Sequence, residues 1–283
     1  MAGNSPTKKR GGIGRPDLAT IGGLLLALGG ILGGLLLEGG KVQDVAQVTA
    51  AMIVMGGTIG AVMVTTPMPV LIGATKKLRL VFFNRAHSPD DLIEEIIGYA
   101  TKARKSSIVS LEDDLETIED PFLKKALSLA VDGMELQQLR QVMELQITQD
   151  EKRGEAEAKV FEAAGGYAPT VGIIGAVLGL IQVMKHLENI DEVGHGIAVA
   201  FVATVYGVGV ANLLFLPAAS KIKARVQHGI EAQELQLEGV CSIVEGLNPK
   251  LIRSKLEAFI EPGSVGKKAA QGGRAAVGEA ASA

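Results

Sequence analysis

No tryptophan occurs among the 283 residues of this chain, aromatic side chains make up 4%, and Cys241 is the single cysteine. One cysteine excludes an intramolecular disulfide and a cysteine-based metal cluster, so Cys241 reads as a free thiol on a helix. The four histidines, His87, His186, His195 and His228, are scattered, and neither zinc-type nor haem-type spacing occurs. No nucleophile–base pair or phosphate-binding loop is present either, which argues against an enzyme and against a bound cofactor. A formal net charge of −3 gives nucleic acid no electrostatic foothold. The most informative lack is local: residues 18–37, 45–75, 163–184 and 196–220 contain no Asp, Glu, Lys, Arg or His.

Each of these stretches is long enough to cross a hydrocarbon core, which takes about 20 apolar residues in a helix. The overall apolar share is 47%, with 36 glycines, a composition suited to membrane helices. Pro67 and Pro69 mark the exit of the second span, so the spans are expected at 18–37, 45–66, 163–184 and 196–217. Lys8, Lys9, Arg10 and Arg15 precede the first, and its apolar run lacks a small-residue cleavage site, so it reads as a retained span rather than a signal peptide. Lys76, Lys77, Arg79 and Arg85 follow span two, and Lys221, Lys223 and Arg225 follow span four. The two opposite turns hold one base each, Lys41 and Lys185, the latter outnumbered by Glu188, Asp191 and Glu192. By the positive-inside rule, the N-terminal 1–17, the stretch 75–162 and the C-terminal part lie in the cytoplasm.

The polar segments read as helices. Ser88-Pro89-Asp90-Asp91 offers a capping serine, proline at the first helical position and acids in the first turn. Further starts are expected at Ser110-Leu111-Glu112-Asp113, Asp120-Pro121 and Asn248-Pro249. A polar helix over about 135–162 feeds into span three, basic helices fill 218–261, and 262–283 reads as a disordered tail. The fold class is therefore an all-α integral membrane protein: four transmembrane helices, a helical cytoplasmic domain between the second and third, and a helical C-terminal extension.

An ionisable side chain at the bilayer centre costs about 2.5–3.5 kcal/mol and is retained where it carries ions or binds substrate. A bundle without one either conducts nothing or borrows its carboxylate from an associated protein. Gly29/Gly33, Gly30/Gly34, Gly56/Gly60 and Gly175/Gly179 lie at four-residue spacing, which allows close helix contact within a subunit or between subunits. Pro169 with Thr170 enters span three, Thr204 lies mid-span in the fourth, and Pro217 marks its exit. From spacing the two prolines are expected at similar depth, either as simple bends or lining a pore with freed carbonyls.

Residues 168–180, with Pro169, Thr170, Gly172, Gly175, Ala176 and Gly179, resemble the third span of the MotA/PomA stator family. Thr204-Val205-Tyr206-Gly207, Leu214-Phe215-Leu216-Pro217, the glycine-rich first span and Asn248-Pro249-Lys250 are similar to the same family, so the likeness covers about residues 14–260. The resemblance implies a homo-oligomeric ring, a pentamer, around a dimer of a MotB-type partner with one span, a membrane aspartate and a peptidoglycan-binding domain. It implies a flagellar stator of the inner membrane, driven by the proton motive force. Pro169 and Pro217 match the prolines that couple ion occupancy to motion, and Thr204 matches a polar residue near the partner's aspartate. Sodium-driven members carry threonine where Ala176 stands, so H⁺ is favoured over Na⁺, although Thr170 and Thr204 keep oxygen ligands nearby. Arg104 and Glu112 match the spacing of the basic and acidic residues that engage the rotor protein FliG; without the family they read as two solvated charges. Two rivals stay open: an energiser of the related ExbB/TolQ type, which typically has three spans, and a membrane scaffold without ion flux.

Overall fold

The computed structural model describes residues 15–84 and 88–258. Lys8, Lys9, Arg10, Arg85, His87 and the tail 262–283 lie outside the described residues. Within them the chain is nearly all helical, with one two-residue antiparallel pairing of β1 (Arg15–Pro16) and β2 (Phe83–Asn84). The chain divides into two compact units: residues 1–85 with 152–226, and residues 86–151 with 227–283.

The first unit holds α1 (Leu18–Leu37), a short α2 (Val42–Val45), α3 (Val48–Thr65) and α4 (Met68–Phe82). To these it adds part of α8 (Leu136–Lys185), all of α9 (Ile190–Val210) and the start of α10 (Leu216–Val244). Among the described residues, four helices are long and apolar enough to cross a membrane: Leu18–Leu37, Val42–Thr65, Leu136–Lys185 and Ile190–Val244. Leu25, Leu26, Val64, Ile173, Phe201 and many other large apolar side chains on these helices are exposed. Such surface is untenable in water and ordinary in lipid, where apolar side chains meet apolar tails.

None of the residues of α1 is buried; the helix is fastened at its N-terminal end instead. The Asp17 carboxylate caps α1 by accepting from the Thr20 N–H at 3.2 Å. It also pairs with Lys221 at 2.6 Å and Arg225 at 2.9 Å. The lysine's hydrogen bond, the Thr20 N–H and the two positive charges lower its pKa from 3.8 to about 2, against a smaller opposing effect of desolvation. Thr66 and Pro67 end the second span, separating α3 from α4, as a proline that cannot extend a helix should. Small residues make the core here. Ala50 and Val54 of α3 pack on Val202 and Ala203 of α9; Val62 and Ala74 pack with Val160 and Ala164; Val81 packs with Ala158, Ala218 and Ile222.

The second unit contains α5 (Pro89–Ser106), α6 (Glu112–Leu115), α7 (Pro121–Val131), the first part of α8, the rest of α10, and α11 (Pro249–Glu257). Its core is conventional: Leu92, Ile96, Leu123, Leu127, Leu139, Met143, Val240, Ile252 and Leu256 are buried at helical spacing. Each such side chain contributes roughly 1.5–3 kcal/mol on burial. Asp120 caps α7 by accepting from the N–H groups of Phe122 and Leu123, and Asn248 caps α11 through Lys250. Ser88 stands at the N-cap of α5, but its side chain makes no capping bond, leaving Asp90 and Asp91 to complement the helix dipole. The start expected at Ser110 is a 3₁₀ turn over Ile108–Leu111 that leads into α6.

Candidate functional site

In the first unit, α8 and α9 run antiparallel with their backbones touching, because glycines face each other. A Cβ on Gly172 would meet the Ala203 carbonyl oxygen at 2.9 Å and the Gly207 Cα at 3.2 Å. One on Gly207 would meet the Ala168 oxygen at 2.5 Å and the Pro169 Cα at 3.2 Å. A second such contact joins Gly179 to Ala200 and Gly196. The four-residue glycine pairs therefore divide: Gly175 and Gly179 serve contact within the chain, while Gly29, Gly30, Gly33 and Gly34 have nothing within 4 Å.

This packing brings Pro169, Gly172, Thr204 and Gly207 together, with the Thr204 Cα 3.5 Å from a Cβ built on Gly172. Ala176, one turn along α8, is half-buried. The Thr204 hydroxyl donates to the Ala200 carbonyl at 3.3 Å, and Thr170 donates to the Tyr167 carbonyl at 2.8 Å. With each proton directed into its own helix, both oxygens keep lone pairs for water, a protonated acid or a cation. Thr204 is half-buried and Thr170 exposed, beside an exposed apolar stripe of Ile173, Val177 and Ile181 on α8 and Phe201, Val205 and Val208 on α9.

Pro217 does not join this group. Pro169 packs at Gly207, and ten helical residues further along α9 and α10 amount to roughly 15 Å of rise. The two prolines thus lie at different depths, contrary to the expectation from spacing. The helices are staggered by their glycine contacts, which the ends of the apolar runs do not encode. Pro169 sits inside an unbroken α8, whereas Pro217 follows a π turn over Ala211–Phe215 in which the Leu216 N–H bonds the Ala211 carbonyl.

Three polar side chains of this unit carry no obvious mark in the sequence. The Tyr206 hydroxyl donates to the Val45 carbonyl at 2.5 Å and accepts from the Gln47 N–H at 3.3 Å, tying α9 to the chain between α2 and α3. The Thr58 hydroxyl, fully buried in α3, has no hydrogen-bond partner among the described residues. Glu157, 4% exposed, pairs with Lys77 at 2.9 Å and Arg153 at 3.4 Å, and its carboxylate lies directly against Gly73. Pairing is what makes such burial tolerable.

In the second unit, Arg104 lies in the last turn of α5 and Glu112 at the first position of α6. Both are exposed, and neither forms an ion pair among the described residues. Lys102 of the same helix is engaged instead, with Asp114 at 2.7 Å, which joins α5 to α6. Between them Ser107 has φ 74° and ψ 157°, a region nearly confined to glycine, and costs about 1–3 kcal/mol in strain.

The MotA/TolQ/ExbB proton channel family matches residues 114–235, and the Motility protein A N-terminal region matches residues 21–106. Motility protein A of Bacillus subtilis (strain 168) is 36% identical over 264 residues, covering 93% of this chain and 97% of that protein. Chemotaxis protein PomA of Vibrio alginolyticus is 32% identical over 87% of this chain and 96% of its own length. Among solved structures, the flagellar MotAB stator complex from Bacillus subtilis superposes with a TM-score of 0.80 at 35% identity, covering 89% of this chain and 99% of that chain. The C. jejuni MotAB structure gives a TM-score of 0.82 at 34% identity, covering 87% and 97%.

Proposed function

The chain belongs to the MotA/TolQ/ExbB proton channel family and is a multi-pass inner-membrane protein, and from that premise we propose that it is the ion-guiding, rotor-contacting subunit of a flagellar stator. Its solved relatives are MotAB complexes, which supports a MotB-type single-span partner at the exposed stripe of α8 and α9. The observation that carries this reading is the combination found there: Thr170 and Thr204 with open oxygen lone pairs, an unpartnered apolar face, and no titratable group in the span. The partner supplies the missing aspartate beside Thr204, and copies of this chain surround the partner dimer as a ring, a pentamer by family likeness. Both termini and the unit containing Arg104 and Glu112 face the cytoplasm, where the two charges meet the rotor protein FliG.

Protonation of the partner's aspartate removes a charge from a low-dielectric site and changes which packing of α8 on α9 is favoured around Pro169. Pro217, farther along, acts at the π turn rather than at the aspartate. A membrane potential supplies about 2.3 kcal/mol per charge per 100 mV, enough for a single proton to bias a two-state step. Protons are the preferred ion because the Ala176 methyl cannot take the place of water around Na⁺, whereas proton transfer needs only a carboxylate and a water path.

Coexpression with the MotB-type partner in a stator-less strain, followed by soft-agar swimming and proton-uptake assays, tests the reading. Thr204→Leu is expected to abolish both while leaving the protein in the membrane; normal swimming and uptake would remove Thr204 from the pathway. Swimming that stops when Na⁺ is withdrawn would overturn the choice of proton.

A further inference from the structure

Beside Arg104 lies a cleft of about 400 Å³, and all of it is built from the second unit. Its apolar walls are Ala100 and Ala103 of α5, Ile108 of the 3₁₀ turn, Met134 after α7, Val244 at the end of α10, and Leu247 beyond it. The walls follow from how three helices end. In α7 the Gly133 N–H bonds the Ala130 carbonyl at 3.2 Å and the Met134 N–H bonds that of Leu129 at 3.1 Å. In α10 the Gly246 N–H bonds the Ile243 carbonyl at 3.0 Å and the Leu247 N–H bonds that of Ser242 at 3.1 Å. Both are Schellman closures, with glycine at φ 79° and 71°, which turn the next side chain, Met134 or Leu247, back along the helix. The third end is Ser107, whose φ of 74° directs Ile108 to the same place.

The ends of three helices thus converge on one partly apolar hollow. Its size suits one or two side chains, at the small end of the range for binding pockets, about 300–1,000 Å³. Arg104 stands at its edge exposed and without an ion pair among the described residues, and Lys105 next to it is exposed too. Asp132 and Glu245, which precede the two lining glycines, are exposed as well. An apolar hollow with Arg104 at its edge and charges of both signs next to its lining residues has the anatomy of an interface anchor point: an apolar centre for affinity and nearby charges for orientation.

We propose that this cleft is the socket for an apolar side chain of the rotor protein, with a carboxylate beside that side chain reaching Arg104. The proposal rests on the reading of Arg104 as a rotor contact and adds the element that pure charge pairing lacks. Exposed ion pairs contribute little net free energy and are screened by salt, so they steer a contact without holding it. A seated apolar side chain supplies grip that salt does not weaken.

Three variants and one crosslink test it in a stator-less strain expressing the MotB-type partner. Ala103→Phe, which fills the cleft, is expected to reduce swimming at least tenfold while membrane abundance and proton uptake stay at wild-type levels. Ala103→Ser, of similar size, is expected to swim within twofold of wild type, and Arg104→Glu is expected to impair swimming. Wild-type swimming of Ala103→Phe alongside an impaired Arg104→Glu would overturn the socket and leave the rotor contact standing. Wild-type swimming of both would overturn the rotor contact itself. A photoreactive residue at the exposed Val109 needs no filling of the cleft. It is expected to crosslink to the rotor protein in swimming cells, and adducts formed only within this chain or with its other copies would overturn the socket.

Discussion

Replacing Gly207 with alanine adds one methyl group where α8 and α9 meet backbone to backbone. Ordinary contact begins at 3.4 Å, whereas the new Cβ would stand 2.5 Å from the Ala168 carbonyl oxygen, a shortfall of about 0.9 Å. The obstacle is backbone, with the Gly172 Cα at 3.0 Å and the Pro169 Cα at 3.2 Å behind it, so no side chain can swing away. The helices must separate, and a gap of 0.5–1 Å forfeits about a quarter to a half of each dispersion contact along the seam. Overpacking of this kind costs about 1–3 kcal/mol, offset by about 0.5–1 kcal/mol because alanine is a better helix former than glycine. The expected net loss is about 1–2 kcal/mol, or roughly a factor of 5–30 in the folding equilibrium. Gly229→Ala, in an exposed stretch of α10 with nothing within 4 Å, is the control and should be neutral or slightly stabilising. Thermal denaturation of the purified membrane complex measures both. If the two variants melted alike, or Gly207→Ala melted later than wild type, the backbone seam would not be what holds these helices.

Asp17→Asn should loosen the fastening of α1 in a pH-dependent way. The folded carboxyl, at about 2, lies below its unfolded value of 3.8. Its contribution is therefore fully present above pH 3.8 and lost as the pH falls toward 2, so the stability gap between variant and wild type should close over that window in acid denaturation. Tyr206→Phe removes the hydroxyl that serves Val45 and Gln47 and leaves a carbonyl unsatisfied, at about 1–3 kcal/mol. Faster hydrogen exchange at the Gln47 N–H should report it, and unchanged exchange would show that water takes over the role. Ser107→Gly should relieve the turn before the 3₁₀ segment and raise the melting temperature by the equivalent of about 1 kcal/mol; a lower melting temperature would show that Ser107 is not strained.

Those features that the sequence made legible follow from local rules. The spans are visible because about 20 uncharged apolar residues in a row seldom occur outside a membrane helix. The starts of α7 and α11 are visible because Asp120-Pro121 and Asn248-Pro249 act on their own first turns. The resemblance to stator proteins rests on local strings as well, and it carries the family assignment. Relations between distant elements are not readable in this way. The bond from Tyr206 to Val45 joins residues 161 apart, and no pattern announces it. The depth of Pro217 relative to Pro169 depends on the stagger set by Gly172 and Gly207, which periodicity leaves free. Glu157 looks like one more charge in a polar helix, because its pairing with Lys77 depends on Gly73 leaving space. The cleft beside Arg104 is hidden for the same reason: its walls come from the ends of three helices that lie far apart along the chain.

A span that buries none of its own residues has a practical consequence for anyone mutating it. Within one polypeptide, α1 is moored mainly near Asp17, and a methyl group added at Gly29 or Gly33 meets nothing within 4 Å, so enlarging either perturbs little that a single copy contains. In the proposed ring, the same alterations would surface only as fewer intact rings, in cells whose individual subunits insert and fold without fault. Screens that score expression alone will pass over such alleles, and those that score completed motors will find them.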